Sequence, residues 1–371
     1  MKKSIHTHYG VPHWRTLSAA LAAAAALPLL SPSAARAADI IDGAISGDAV
    51  VTISGTEATT TGDLTIGGGS TGTLNITNGG VLSIAESHNI VVGIGTGSNG
   101  ILNIDNGTLQ TTGGNMHVGY TTRNSMGTLT ITNGSMVAID GAVILGRGGN
   151  TRGTVTVSNS TLQVGANLSS WVGANTLDIT DGGLVSANTV DMAGSINSDG
   201  SSVSIFTVTS GTLQSASTIV IGGISTTAHV ATLNIGKEGL VTADTTATIN
   251  NQGRIEFTLG ASGDNGLLEA ASLTIVSGGV VSFVGGDGFV AEDGASWQVF
   301  DLVTGITGDS LANLESGLSL FGLGEGYAWD TSLLGSAGIL SIVTTAVPEP
   351  ATYAALAGLA MLAYVIVRRR R

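Results

Sequence analysis

The side chains in this sequence that could do chemistry are the carboxylates Asp105, Asp178 and Asp181, the histidines His88 and His117, and the arginines Arg147 and Arg152. Clustered carboxylates beside a cation would serve acid–base attack on a glycosidic bond, or would hold calcium. Here the cations are few and the carboxylates single: Asp178 and Asp181 share one copy of a repeated motif, and Asp105 falls in another copy that is not its neighbour. They read as solvated turn and face residues, so no catalytic residue is assigned and a non-enzyme is expected. His88 and His117 sit near equivalent strand starts with no third ligand recurring, which leaves no metal site. There is no cysteine, which removes disulfides, thiolate metal sites and cysteine nucleophiles together. Glycine-rich stretches such as Val92–Gly97 precede no helix and give no nucleotide site, and no cofactor is expected.

What must position these residues is a repeat. The segments GTLNITNG from Gly72, GILNIDNG from Gly100, GTLTITNG from Gly127, GTVTVSNS from Gly153 and NTLDITDG from Asn175 are one motif written five times. Weaker copies start at Ser204, Ala231 and Ala271, and the last gap leaves room for a divergent unit containing GRIEFTLG. Each copy alternates apolar and polar residues with period two, as Leu74 and Ile76 against Asn75 and Thr77, which predicts strands with one buried face. Leu82 and Ile84 return to the apolar side after the turn Asn78-Gly79-Gly80. A further strand precedes each next copy, with Ile90/Val92, Met116/Val118, Val143/Leu145 and Ile219/Ile221 in matching positions.

A unit of about two dozen residues cannot bury its own apolar face and must stack on its neighbours. The expected fold is therefore all-β, a parallel β-solenoid of eight or nine coils, about 40 Å long at ~4.8 Å per coil. A β-sandwich, the alternative, predicts hairpins every 8–12 residues or so rather than this longer repeat. All five prolines lie in the terminal segments, so none interrupts a ladder. Asn78, Asn106, Asn133, Asn159 and Asp181 share one turn slot, where a left-handed backbone and side-chain bonds along the ladder are expected.

The domain reading is 1–37 signal peptide, 38–283 solenoid, 284–345 cap and 346–371 sorting signal. The first segment has Lys2, Lys3 and Arg15, a small apolar run and Ala35-Arg36-Ala37, with cleavage expected between Ala37 and Ala38. The cap holds most of the body's aromatic residues, among them Phe289, Trp297, Phe300, Phe321, Tyr327 and Trp329, and would cover open strand edges. A small ligand-binding domain is the alternative for it. Residues 351–367 carry no charge and would span roughly 26 Å as a helix. Arg368, Arg369, Arg370 and Arg371 follow as a cytoplasmic flank to a single transmembrane helix. Between the termini five basic residues face 26 acidic ones, which excludes nucleic acid as a partner and suits solubility, loose cation binding or repulsion of like-charged polymers.

The segment Val347-Pro348-Glu349-Pro350, with its apolar helix and arginine cluster, resembles the PEP-CTERM sorting signal of exported Gram-negative proteins. The resemblance implies that Pro348, Glu349 and Pro350 are recognised by an exosortase, with transient residence in the inner membrane and delivery to the cell surface, outer membrane or extracellular matrix. The repeat is similar to the strand repeats of such proteins and of autotransporter passengers. The functional expectation is a structural or adhesive matrix protein meeting extracellular polysaccharide. The alternatives are a carbohydrate-active β-helix enzyme, lyase or hydrolase, and a self-assembling surface-layer subunit.

Overall fold

The structure is a computed structural model that describes residues 39–40, 43–120, 124–192, 202–223, 229–345 and 350–369. Signal cleavage at Ala37 and Ala38, Pro348, Glu349, Arg370 and Arg371 lie outside those residues, as does Arg123.

The repeat folds as a parallel β-solenoid in which each turn contributes one strand to each of three sheets. Sheet 1 holds the seven-residue strands of the motif, such as Thr71–Thr77, Asn99–Asp105, Met126–Thr132, Arg152–Ser158 and Ala174–Thr180, in an 11-stranded parallel ladder. Sheet 2 takes the strand after the turn, as Val81–Ile84 and Thr108–Thr111, and sheet 3 the strand before the next copy, as Ile90–Ile94 and Met116–Tyr120. From Asp39 to Ile235 the described strands make eight such three-strand turns. Two further turns follow in which Leu240–Ile249 and Leu267–Ile275 run through the corner and serve sheets 2 and 3 at once.

Register explains why the sequence repeats. Ile76, Ile104, Ile131, Val157, Ile179, Val208, Ile235, Phe257 and Phe283 stand in one inward column, each paired with its neighbour along sheet 1 and all buried. One apolar side chain per slot therefore closes the core without contacts distant along the axis. Slot volumes compensate. In sheet 2 the second inward slot holds Thr60, Ile84, Thr111, Ile139 and Val164 in the early coils and only Ala187, Ser215, Ala243 and Ala270 in the later ones, while sheet 1 enlarges to Phe206, Phe257 and Phe283. Total core volume stays filled, as close packing demands.

Two details differ from the sequence reading. The segment from Ala271 is not a sheet 1 copy: Leu267–Ile275 lies in sheets 2 and 3, and Gly253–Leu259, with GRIEFTL, takes the sheet 1 place. Alternation has the same period on every face, so period alone could not choose the sheet. The turn residues do adopt left-handed backbones, with φ of 52° at Asn78, 50° at Asn106, 58° at Asn133, 47° at Asn159 and 51° at Asp181. Their described side-chain bonds, however, reach strand ends rather than one another. Asn78 Nδ2 donates to Ser54 Oγ at 3.1 Å and Asn133 Nδ2 to Asp105 Oδ1 at 2.5 Å. The asparagine-to-asparagine bond forms instead on the sheet 1 surface, from Asn103 Nδ2 to Asn75 Oδ1 at 2.9 Å.

The C-terminal end of the stack is covered. Strands Ser296–Gln298, Tyr327–Asp330 and Ile339–Thr344 form a three-stranded antiparallel sheet. Trp297 is fully buried, with Phe289 5.5 Å and Trp329 5.9 Å away between ring centres, and its Nε1 donates to the Ala261 carbonyl at 2.9 Å. Helix α1, Asp309–Gly317, lies along the last sheet 3 strand. Its Asn313 Nδ2 donates to the Ile275 carbonyl at 2.7 Å and its Ser310 Oγ accepts from the Ile275 amide at 3.2 Å, so side chains satisfy an edge that no further strand pairs. A short helix α2, Leu334–Ala337, precedes the final cap strand. Helix α3, Pro350–Arg369, forms where the apolar run stands, and its described side chains, from Ala354, are all exposed. Among the described residues no helix is long and apolar enough to cross a membrane, so the spanning role of 351–367 rests on the sequence pattern.

Candidate functional site

In the middle coils the outward positions of sheet 1 are mostly short and polar. Thr128, Thr130 and Thr132 lie beside Thr154, Thr156 and Ser158, and these beside Thr176, Asp178 and Thr180. Asp178 is partly desolvated there, which raises its pKa against an opposing hydrogen bond from Thr207. Asp181 sits in the turn, accepting from Ser158 Oγ at 2.7 Å, and Asp105 is held by Asn133 three coils away from Asp178. The structure thus keeps Asp105 apart from Asp178 and Asp181. His88 stands in a loop 3.7 Å from Asp63 and 3.8 Å from Glu86, whereas His117 lies within sheet 3 between Val91 and Ile144. Among the described residues no group of three or more His, Asp or Glu converges as a metal site would require.

The chemistry that does converge is at the corner between sheets 3 and 1. Tyr120 ends, and Arg147 and Trp171 follow, the sheet 3 strands of three successive coils. The Arg147 guanidinium lies 5.1 Å from the Tyr120 ring centre and 5.2 Å from that of Trp171, and its Nη1 donates to the Tyr120 hydroxyl at 2.9 Å. His117 tilts against the other side of Tyr120, ring centres 4.4 Å apart. Burial, reinforced by the Arg147 charge, lowers the His117 pKa to about 4, so its imidazole is neutral at physiological pH. No described carboxylate pairs with Arg147, whereas Lys237 meets Asp264 at 3.2 Å and Arg254 meets Glu256 at 2.9 Å. Across the turn from Arg147, Arg152 opens a strand of sheet 1 and lines a shallow cleft of about 500 Å³ with Asn124, Asn150, Ala174 and Val203. Sequence reasoning singled out Arg147 and Arg152 but missed the aromatic neighbours. Tyr120 and Trp171 are 51 residues apart, and only stacking brings them to one edge.

A second polar pair lies on sheet 2, where Glu269 is directly opposite Asp301. Burial first, and the Asp301 charge second, raise the Glu269 pKa. The pair is remote from the Arg147 corner, several coils along the axis.

At the C-terminus residues 346–371 match the family model described as the PEP-CTERM protein-sorting motif. The chain carries a PEP-CTERM sorting motif. It spans the Pro-Glu-Pro segment, helix α3 and the arginine cluster, of which Arg368 and Arg369 end the described helix. The motif implies processing by an exosortase, and export with sorting to the cell surface. No curated protein and no solved structure matches the chain.

Proposed function

We propose that this chain is a structural and adhesive rod of the cell surface or extracellular matrix of a Gram-negative bacterium, without enzymatic activity. The reading is carried by one conjunction: a PEP-CTERM motif follows a solenoid whose sheet 1 surface in the middle coils is mostly threonine and serine. A stacked sheet of this kind has every internal strand paired on both sides, which suits a load-bearing spacer. Extracellular polysaccharide is the proposed ligand, and the Tyr120–Arg147–Trp171 corner its contact. Aromatic faces there can lie against sugar rings, while the free edge of the guanidinium can accept a carboxylate in a forked hydrogen bond.

The competing reading is a carbohydrate-active β-helix enzyme. It is favoured by the facing carboxylates Glu269 and Asp301, one with a raised pKa. It lacks a cation beside that pair among the described ion pairs, and an acid beside Arg147. Cell fractionation with C-terminal mass analysis tests the sorting part: a surface-associated product ending near Pro350 is expected, and an inner-membrane product ending at Arg371 would overturn it. Incubating the protein with acidic polysaccharides tests the other part. Retention without chain shortening is expected, and chain shortening would establish the enzyme instead.

A further inference from the structure

Among the described residues, no strand pairs with the N-terminal edge of the solenoid. Strand Ala49–Ser54 opens sheet 1 and pairs on one side only, with Thr71–Thr77. Asp39–Ile40 and Gly43–Ile45 likewise pair on one side, with Glu57–Thr60 and Leu64–Gly68. Those two edges are short, which blunts them, but Ala49–Ser54 has none of the usual protections: its sequence AVVTIS contains no charge, no proline and no bulge. Burial along it is uneven: Ile53 is buried, whereas Val51 stands in the column of Leu74 yet is only half-buried where Leu74 is fully buried, and the outward Val50 is 64% exposed. The opposite end offers no equivalent surface, because α1 and the antiparallel sheet cover it.

With the expected cleavage between Ala37 and Ala38, a single residue would precede the first strand of the processed chain, too short a segment to fold over this edge. We propose that the edge is completed by the same edge of a second copy, giving a head-to-head dimer of solenoids. A two-fold axis across Ala49–Ser54 makes the two strands antiparallel neighbours and satisfies the free amides and carbonyls of both. Side-chain parity fixes the register. Val51 and Ile53 point inward, so Thr52 opposite its own counterpart sets each Val51 against the partner's Ile53 and continues the core across the junction. Assembly stops at two, because each copy has one open end and a closed, isologous contact leaves no further edge.

The test uses the processed protein recovered from cells, and the absence of native cysteine makes single-cysteine variants clean reporters. Thr52→Cys places two thiols across the axis at a Cα separation of about 4.5–5.5 Å, within disulfide range. Val303→Cys, at a 63% exposed site near the closed end, is the control. Light scattering is expected to give twice the chain mass for the wild type. Thr52→Cys should run as a covalent dimer on non-reducing gels and Val303→Cys as a monomer. Thr52→Lys, on an exposed side chain, sets like charges opposite one another and should weaken the dimer by up to about fivefold. A wild type that is monomeric at every concentration with Thr52→Cys uncrosslinked, or one that grows into filaments, overturns the proposal. The sorting and matrix reading does not depend on either result.

Discussion

At its C-terminal end the solenoid is closed by a layer that repeats nothing: Trp297, Phe289, Phe321 and Trp329 interlock, and Asn313 and Ser310 occupy the last free edge groups. At its N-terminal end the same ladder stops at Ala49–Ser54 with no covering element among the described residues. The coils between need neither device, since each is the cap of the one before. Closing a stack takes unique side chains, while extending it takes only the right residue in the right slot.

If that contrast is real, the two ends should differ most in what a truncation costs. Trp297→Ala removes a fully buried ring and its hydrogen bond to Ala261, and should cost about 3–5 kcal/mol in urea unfolding. Ile53→Ala, in the open coil, should cost about 2 kcal/mol, at the low end for buried aliphatics. Equal costs would show that the first coil is as firmly held as the closure.

Within the coils, the limit should be set by main-chain approach rather than by side-chain volume. A Cβ at Gly127 would collide with the Gly119 amide and the Val92 carbonyl, both backbone atoms of the adjoining corner. Gly127→Ala should therefore cost about 2–3 kcal/mol. Gly134→Ala meets nothing within 4 Å and strains only a left-handed turn at φ 77°, costing about 1–2 kcal/mol. Chemical unfolding of the pair measures the difference, and a reversed order would break the argument. At the Gly127 level two coils on, Asn175 is accommodated because its own Oδ1 accepts from the Gly153 amide at 3.0 Å, replacing close approach by a hydrogen bond.

The smallest effect concerns a buried histidine of sheet 3. His117 is 7% exposed and its Nδ1 has no hydrogen-bond partner, while Val91 and Ile144 fill the flanking positions. Its pKa is depressed from 6.5 to about 4, so the unfolded chain binds the extra proton and stability is lost as pH falls from about 6.5 to about 4. His117→Val should raise the melting temperature, with a margin that widens across that window. The raised pKa values of Asp178, Asp191 and Glu269 act in the opposite direction, so only the difference between variant and wild type isolates His117. A margin independent of pH would mean that the histidine is solvated.

Much of this was legible in advance for a physical reason. Leu74, Ile76 and their counterparts recur because neighbouring coils present identical surroundings, and the glycine and asparagine slots recur because each corner needs the same backbone. The segment from Ala271 was misplaced because three faces share one period and only pairing partners distinguish them. The Tyr120–Arg147–Trp171 corner was half legible, since an unpaired arginine in an acidic chain stands out while aromatics 51 residues apart do not.

By itself the sequence determined the address, the repeat and the inward columns, because a tripartite terminal motif and a period-two alternation are local properties of the chain. Only the tertiary structure decided which strands share a sheet, which side chains meet along the axis and how the C-terminal end is closed. Those depend on hydrogen bonds between residues some 22 to 29 positions apart, whose partners are chosen by stacking and not by the local pattern.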